Sequence, residues 1–211
     1  MIQELPVYKA ALKRRSIKAF KTDPIPEPIL QKLIDATLSA PSSWNFQPTR
    51  IVLIQSEEQK QALADVAWGQ KQLLQAPVTF VFAASVRGWE KNMGKIIQQA
   101  VEQGAWSAGF GDFIRQNAPG FQNSLGAKQR EYALKDAMIA ATTTALAAES
   151  LGLGSCFMNG WEEEGVKKVI GAEGDEDIAI ALVLPVGYAL DTPKNPGRLP
   201  QEDMVFIDRL K

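Results

Sequence analysis

The sequence predicts an α+β domain, on three observations. Residues 50–54, 77–84 and 178–186 are apolar runs of strand length, and the second is apolar almost throughout, as in a buried strand. Five other segments have helical character, and they do not alternate regularly with the strands. No strand leads into a glycine-rich turn and helix, which ranks a doubly wound Rossmann sheet lower. The nearest candidate, Gly152-Leu153-Gly154, follows a helix and lacks the third glycine at the needed spacing. If nicotinamide is used, it has no dedicated nucleotide-binding domain here.

Residues 7–14 read as a helix that delivers a basic cluster at its C-terminal end. In residues 27–38, Ile29, Leu30, Leu33, Ile34 and Leu38 recur at helical spacing, and Pro26 or Pro28 suits a first turn. The 50–54 strand is followed by a helix over 57–66. Residues 89–117 read as less regular and partly helical. A long helix is predicted over 128–151, rich in alanine and threonine. Its small residues permit close approach, so it should be the central helix of the core or of a dimer. Residues 162–170 form another short helix, and the third strand ends at Pro185-Val186-Gly187-Tyr188. The tail from Asp191 is proline-rich and polar, then apolar at 204–207, which implies that it docks on something. No repeat or linker divides residues 1–211, so a single domain is expected.

A 211-residue chain with 45% hydrophobic content can bury a substantial core. Its net charge of −1 gives no field for nucleic acid or an anionic membrane, so small-molecule chemistry is favoured. The single cysteine, Cys156, excludes an internal disulfide. The absence of histidine removes Ser-His-Asp and Cys-His catalysis and most zinc sites, so no metal is expected and a cofactor should carry the difficult chemistry. No apolar run approaches the length of a membrane helix, and the N-terminus has no apolar leader, so a cytoplasmic address is expected.

Two motifs carry the chemistry. Lys13-Arg14-Arg15-Ser16-Ile17-Lys18 offers two guanidiniums, a hydroxyl and ammonium groups, enough to surround a phosphate with charge-assisted hydrogen bonds. In an extended segment Ser16 and Lys18 point the same way. The bland alternative is a helix C-terminus decorated with cations for dipole reasons. Pro41-Ser42-Ser43-Trp44-Asn45-Phe46-Gln47-Pro48 is a polar, proline-bounded turn. Asn45 and Gln47 can equally serve only to satisfy turn backbone groups.

In this order and near this spacing, the two motifs resemble the FMN-dependent nitroreductase family, which opens with an Arg-x-Ser-x-Arg/Lys cluster and a Pro-Ser-Ser-x-Asn-x-Gln-Pro turn. The resemblance runs in order from Lys13 to Pro200 and implies a nitroreductase-like fold: a mixed, mostly antiparallel central sheet surrounded by helices, in an intertwined homodimer. It assigns Arg14, Arg15 and Ser16 to the phosphate and ribityl end of FMN, and Lys18 to the pyrimidine side of the ring. It brings Pro41, Ser42, Ser43, Asn45 and Gln47 to a flavin bound mainly by the other subunit. Leu151-Gly152-Leu153-Gly154-Ser155-Cys156 is similar to a family segment that packs along the flavin, which implies roles for Phe157, Met158, Asn159 and Gly160, the glycines letting backbone approach the ring. Cys156 itself reads as a small buried apolar residue rather than a nucleophile. Gln70 and Gln72 stand where relatives bond the pyrimidine ring, and Lys194 and Arg198 near the family's final basic pair. Residues 89–127 correspond to a variable lid, with Trp106, Phe110 and Phe113 as candidates for the substrate pocket and core packing as the bland alternative. Residues 191–211 would form a C-terminal arm.

The implied activity is an FMN oxidoreductase that uses NADH or NADPH to reduce nitroaromatics, quinones or similar acceptors by a ping-pong scheme in one cleft. No side chain is assigned as a catalytic acid or base; Lys18 is an electrostatic support. Two rivals are a flavin-binding protein without turnover and a family member with another acceptor chemistry such as dehalogenation. A polyanion-binding module using residues 13–18 is disfavoured by the near-neutral net charge.

Overall fold

The computed structural model describes residues 5–210. Its core is a four-stranded sheet built from β1 (Thr49–Ile54), β2 (Val78–Ser85), β3 (Gly154–Ser155) and β4 (Ile178–Gly187), in the order β1-β2-β4-β3. Every neighbouring pair is antiparallel. A parallel pairing occurs as an isolated bridge between Ser16 and Ser155. Eight α-helices accompany the sheet among the described residues: α1 (Val7–Lys13), α2 (Glu27–Leu38), α3 (Glu57–Val66), α4 (Lys71–Gln75), α5 (Gly88–Glu102), α6 (Ala108–Ser124), α7 (Gln129–Ser150) and α8 (Glu163–Val169). The α+β expectation holds.

β2 lies between β1 and β4 and is buried along its whole length, which explains why its sequence does not alternate. On one face, Phe80, Phe82, Leu182 and Leu184 pack with Leu30 and Leu33 of α2 and the alanines of α7. On the other, Val81, Ala83 and Val183 meet Leu63 and Ala64 of α3 and Val166 of α8. The long helix α7 buries Ala133, Asp136, Ala137, Ala140, Ala141, Thr144, Ala145 and Ala148, a three-and-four spacing that makes one continuous face. Thr144 shares a 2.6 Å hydroxyl contact with Thr37 of α2. The small residues of α7 therefore serve close packing in the core. Its outer side carries Leu134, Met138, Ile139 and Leu146 around an apolar groove of about 700 Å³.

The structure departs from the sequence reading in two places. Residues 89–117 are more regular than expected: all but the connection at 103–107 lie in two full helices, α5 and α6. Ile96 and Ile97 of α5 pack with Ile114 and Ala118 of α6, on Phe46 and Trp89. The short helix α4 and the two-residue strand β3 were not anticipated, being too brief to show a period. Gly154 and Gly160 stand against protein side chains. A Cβ on Gly154 would lie 2.5 Å from Ile17 Cγ1, and one on Gly160 would lie 2.9 Å from the Trp68 ring. Gly152 has φ +78° just after α7, a left-handed helix stop.

The tail beyond Leu190 is exposed throughout, with Met204, Val205, Phe206, Ile207 and Leu210 facing solvent in the single chain. β1 is a sheet-edge strand. No helix among the described residues is long and apolar enough to cross a membrane.

Candidate functional site

The first basic motif lies where α1 ends. Residues 15–18 continue in extended form, with Ser16 bridged to Ser155 and Ile17 N donating to Ser155 O at 3.0 Å. Ile17 is buried while Ser16 and Lys18 are exposed, so those two side chains share one face as the alternation predicts. The buried Ile17 fills the space left by Gly154 and fixes this register.

Four contacts line up along residues 156–160. The Arg14 guanidinium carbon sits 5.6 Å from the Phe157 ring centroid, a cation–π distance. The Lys18 ammonium is 3.2 Å from Cys156 Sγ. Gln72 Nε2 lies 3.7 Å from Met158 Sδ and donates to Gln70 Oε1 at 2.9 Å, while Gln70 Nε2 donates to the Gly160 carbonyl at 2.9 Å. Arg14, Lys18, Gln70, Gln72, Phe157, Met158 and Gly160 are thus brought together from three separate stretches of sequence. Asn159, in the same segment, is exposed. Two buried polar atoms here, Arg14 Nη1 and Ser155 Oγ, have no protein partner. Buried donors left open are costly, so this pair fits an oxygen-rich, anionic ligand.

Other predicted residues stand apart from this group. Arg15 turns back on its own helix: its Nη1 donates to the carbonyls of Leu12, Lys13 and Arg14 at 2.9 Å each. That is the helix-terminus role considered as the bland alternative. Lys194 and Arg198 are exposed on the tail, and Arg198 Nη1 donates to the adjacent Gly197 carbonyl at 2.7 Å. Among the described residues, no hydrogen bond or ion pair links either of them to Arg14 or Lys18. Trp106 meets Phe110 edge-on at 5.2 Å, and Phe110 stacks on Phe113 at 6.1 Å. Phe110 and Phe113 are 44% and 50% exposed, so they are not core residues of this chain.

The 41–48 loop is at the far end of the sheet. Thr49, directly after it, pairs with Ala84, whereas Ser155 pairs with Val186, which pairs with Val78. Val78 and Ala84 are six residues apart on β2, about 20 Å of extended chain. The loop is tightly built. Trp44, Asn45 and Gln47 have φ of 54°, 57° and 48°. Ser42 Oγ accepts from Gln47 N at 2.9 Å, and Gln47 Nε2 reaches Asn45 Oδ1 at 3.3 Å. Pro41, Asn45 and Gln47 are exposed, and Phe46 and Pro48 are buried beneath them.

Sequence reasoning missed three participants. Ser155 has a buried unpartnered hydroxyl. Trp68, 70% exposed with φ +57°, stands against Gly160. Asp136 accepts from Ser43 N and Oγ. Burial raises its pKa, and the Ser43 donors only partly offset that. The available signal was that Asp136 is the one charged residue on the alanine-rich stripe of α7.

The nitroreductase family model matches residues 11–188. A relative named NADH dehydrogenase from Thermus thermophilus is 32% identical over 96% of both chains. One named FMN reductase [NAD(P)H] from Bacillus subtilis is 29% identical, over 93% of this chain and 71% of its own. Among solved structures, a candidate nitroreductase in complex with FMN from Exiguobacterium sibiricum superposes with a TM-score of 0.84, at 23% identity, over 97% of this chain and 98% of that one. The matched span runs from α1 to the end of β4 and includes both ends of the sheet where the two motifs lie, and on that ground the chain belongs to the nitroreductase family.

Proposed function

We propose that this chain is an FMN-dependent oxidoreductase that takes electrons from NADH or NADPH and passes them to a nitroaromatic, quinone or similar acceptor. The observation that carries this reading is the row of contacts from Arg14–Phe157 through Lys18–Cys156 to Gln70–Gly160, with two buried polar atoms still open beside it. Arg14, Ser16 and Ser155 would hold the phosphate and ribityl oxygens, as a guanidinium fork and hydroxyls suit. Gln70 and Gln72 would present amide groups to the polar edge of the ring. Lys18 would place its ammonium where charge develops on reduction. Bound FMN would supply the hydride and electron chemistry that a chain without histidine lacks.

The 41–48 loop would complete the site of a second subunit. Its place at the opposite end of β2 from the strand position of Ser155, about 20 Å of extended chain away, supports a homodimer in which each flavin is held between two copies. The exposed apolar residues of the tail and the open edge of β1 support the same arrangement. Lys194 and Arg198 would then act on whichever subunit the arm reaches. Trp106, Phe110 and Phe113 would border the acceptor. A cytoplasmic address goes with this activity.

The test is direct. The purified protein should be yellow, release FMN on denaturation, and bleach anaerobically with NADH or NADPH. A colourless protein that takes up no added FMN would overturn the reading. A yellow protein that neither donor bleaches would leave a flavin binder without turnover.

A further inference from the structure

We infer that Asp136 is a positioning residue for the flavin site: from α7 it holds the 41–48 loop in the shape that presents Ser42, Asn45 and Gln47. This rests on the FMN reading above and adds a residue outside both motifs. Asp136 is 4% exposed, and both of its carboxylate oxygens face Ser43. Ser43 N donates at 3.1 and 3.2 Å, and Ser43 Oγ donates to the same Oδ1 at 3.1 Å. A buried carboxylate is expensive unless its donors are fixed, so the contact constrains both partners.

The loop needs such an anchor. Three of its residues, Trp44, Asn45 and Gln47, adopt left-handed backbone without being glycine. Such conformations persist only where surrounding contacts over-determine them. Those contacts are identifiable: the Trp44 ring stacks on Phe121 of α6 at 5.9 Å, and Arg50 Nη1 donates to the Gln47 carbonyl at 3.1 Å. Phe46 is buried against Trp89, with ring centroids 6.5 Å apart. Asn92 of α5 donates to the carbonyls of Phe46 and Gln47 at 2.8 and 3.0 Å. Both fix the second half of the turn. Asp136 fixes its start, at the residue where the 3₁₀ turn Ser43–Asn45 begins. It is the polar link between the loop and the core helix.

The experiment compares wild type, Asp136→Ala, Asp136→Asn and Ser43→Ala. Two quantities are read: amide hydrogen exchange of residues 42–47 in flavin-free protein, and FMN affinity by fluorescence titration. Asp136→Ala should speed exchange in the loop by about ten-fold or more without changing the rest of α7, and weaken FMN by about ten-fold, the scale of one or two charge-assisted hydrogen bonds. Asp136→Asn keeps an oxygen at the Oδ1 position where both donors converge, and should restore most of each. Ser43→Ala touches only the loop, so it serves if Asp136→Ala does not fold; it should give a smaller change of the same sign. Loop exchange and FMN affinity both within two-fold of wild type in the alanine variants would overturn the proposal. Faster loop exchange with unchanged FMN affinity would also overturn it, since the loop would then be anchored without serving the flavin. Wild type that binds no FMN would instead defeat the cofactor reading, and the exchange data would show that separately.

Discussion

The Lys18 ammonium lies 3.2 Å from the Cys156 sulfur, joining the segment after α1 to the segment after β3. The thiol is fully buried and Lys18 is exposed, so the sulfur steadies the cation at the mouth of the site. In the proposed function this cation stabilises the reduced ring. Lys18→Ala should therefore keep FMN but lower its two-electron potential. A partly screened charge contributes roughly 1–3 kcal/mol, or about 20–60 mV. Spectroelectrochemical titration of the two proteins decides it, and an unchanged potential removes Lys18 from the ring.

Arg14 should matter for binding rather than for potential. Its Nη1 is buried and open, and its carbon lies over Phe157. Arg14→Ala should weaken FMN by roughly 2–4 kcal/mol, about thirty- to a thousand-fold. Arg15→Ala should do less, because that guanidinium is spent on the carbonyls ending α1. Flavin content after purification and titration separates the two, and an Arg14→Ala protein that purifies fully loaded contradicts the assignment.

These two arginines show what was legible in the sequence. Neighbours in the chain look equivalent, yet Arg14 lies over the Phe157 ring with a buried, unpartnered Nη1, and Arg15 caps a helix. Spacing alone does not say which way a side chain turns at a helix end. The strands and the long helix were legible because burial imposes period and composition over many residues, as in β2 and α7. Helix α6 was less so, because Phe110 and Phe113 put aromatic residues on its exposed side and blur the stripe. Gly154 was legible as a close approach, but the group approaching is Ile17. Ser155 acts through a long-range contact that no local pattern announces, whereas Asp136 was marked only by its charge on the alanine stripe, with its partner Ser43 hidden.

Asp177, just before β4, should contribute to stability against acid. Burial raises its pKa, but Ser85 Oγ at 2.6 Å, Arg87 N at 2.6 Å and Lys91 Nζ at 3.0 Å outweigh that and hold the carboxyl below its ordinary range. The folded state thus keeps this charge to lower pH than the unfolded chain. The stability it contributes is present above the ordinary carboxylate range and is lost as pH falls through the lowered folded value. Asp136 has the opposite sign: its pKa is raised by burial, so its ionisation costs stability as pH rises from the ordinary to the raised value. Urea unfolding against pH should show a flatter acid limb for Asp177→Asn and a smaller loss above it for Asp136→Asn. An acid limb unchanged in Asp177→Asn refutes the assignment.

Gly154→Ala should destabilise the fold. The added Cβ would sit 2.5 Å from Ile17 Cγ1 and 3.3 Å from its Cβ, inside a buried contact. Overpacking of this kind costs roughly 1–3 kcal/mol, about 2–12 °C in Tm for a domain of this size. Ile17→Ala in the same background should recover part of the loss, because it removes the clashing carbon. Additive losses in the double variant would show that the two residues do not meet. Flavin content should fall with Gly154→Ala, since Ile17 sets the register of Ser16 and Lys18.

The tail should hold two copies together. Residues 204–207 expose four apolar side chains, and Ile207 is 86% exposed, a costly arrangement for an isolated chain. β1 offers an edge to pair with, and the outer groove of α7 offers an apolar surface. Obligate interfaces bury more than about 2,000 Å², which an arm and a helix face together can supply. Truncation after Pro200 removes the apolar residues and leaves Arg198 at a free end. Sedimentation at low concentration should then show a weakened dimer, and flavin content should fall with it, because in the proposed arrangement the 41–48 loop would reach a flavin across the interface. The two losses should track each other across a concentration series. A truncated monomer that holds a full complement of FMN would break that link, and Ser42, Asn45 and Gln47 would lose their place at the site.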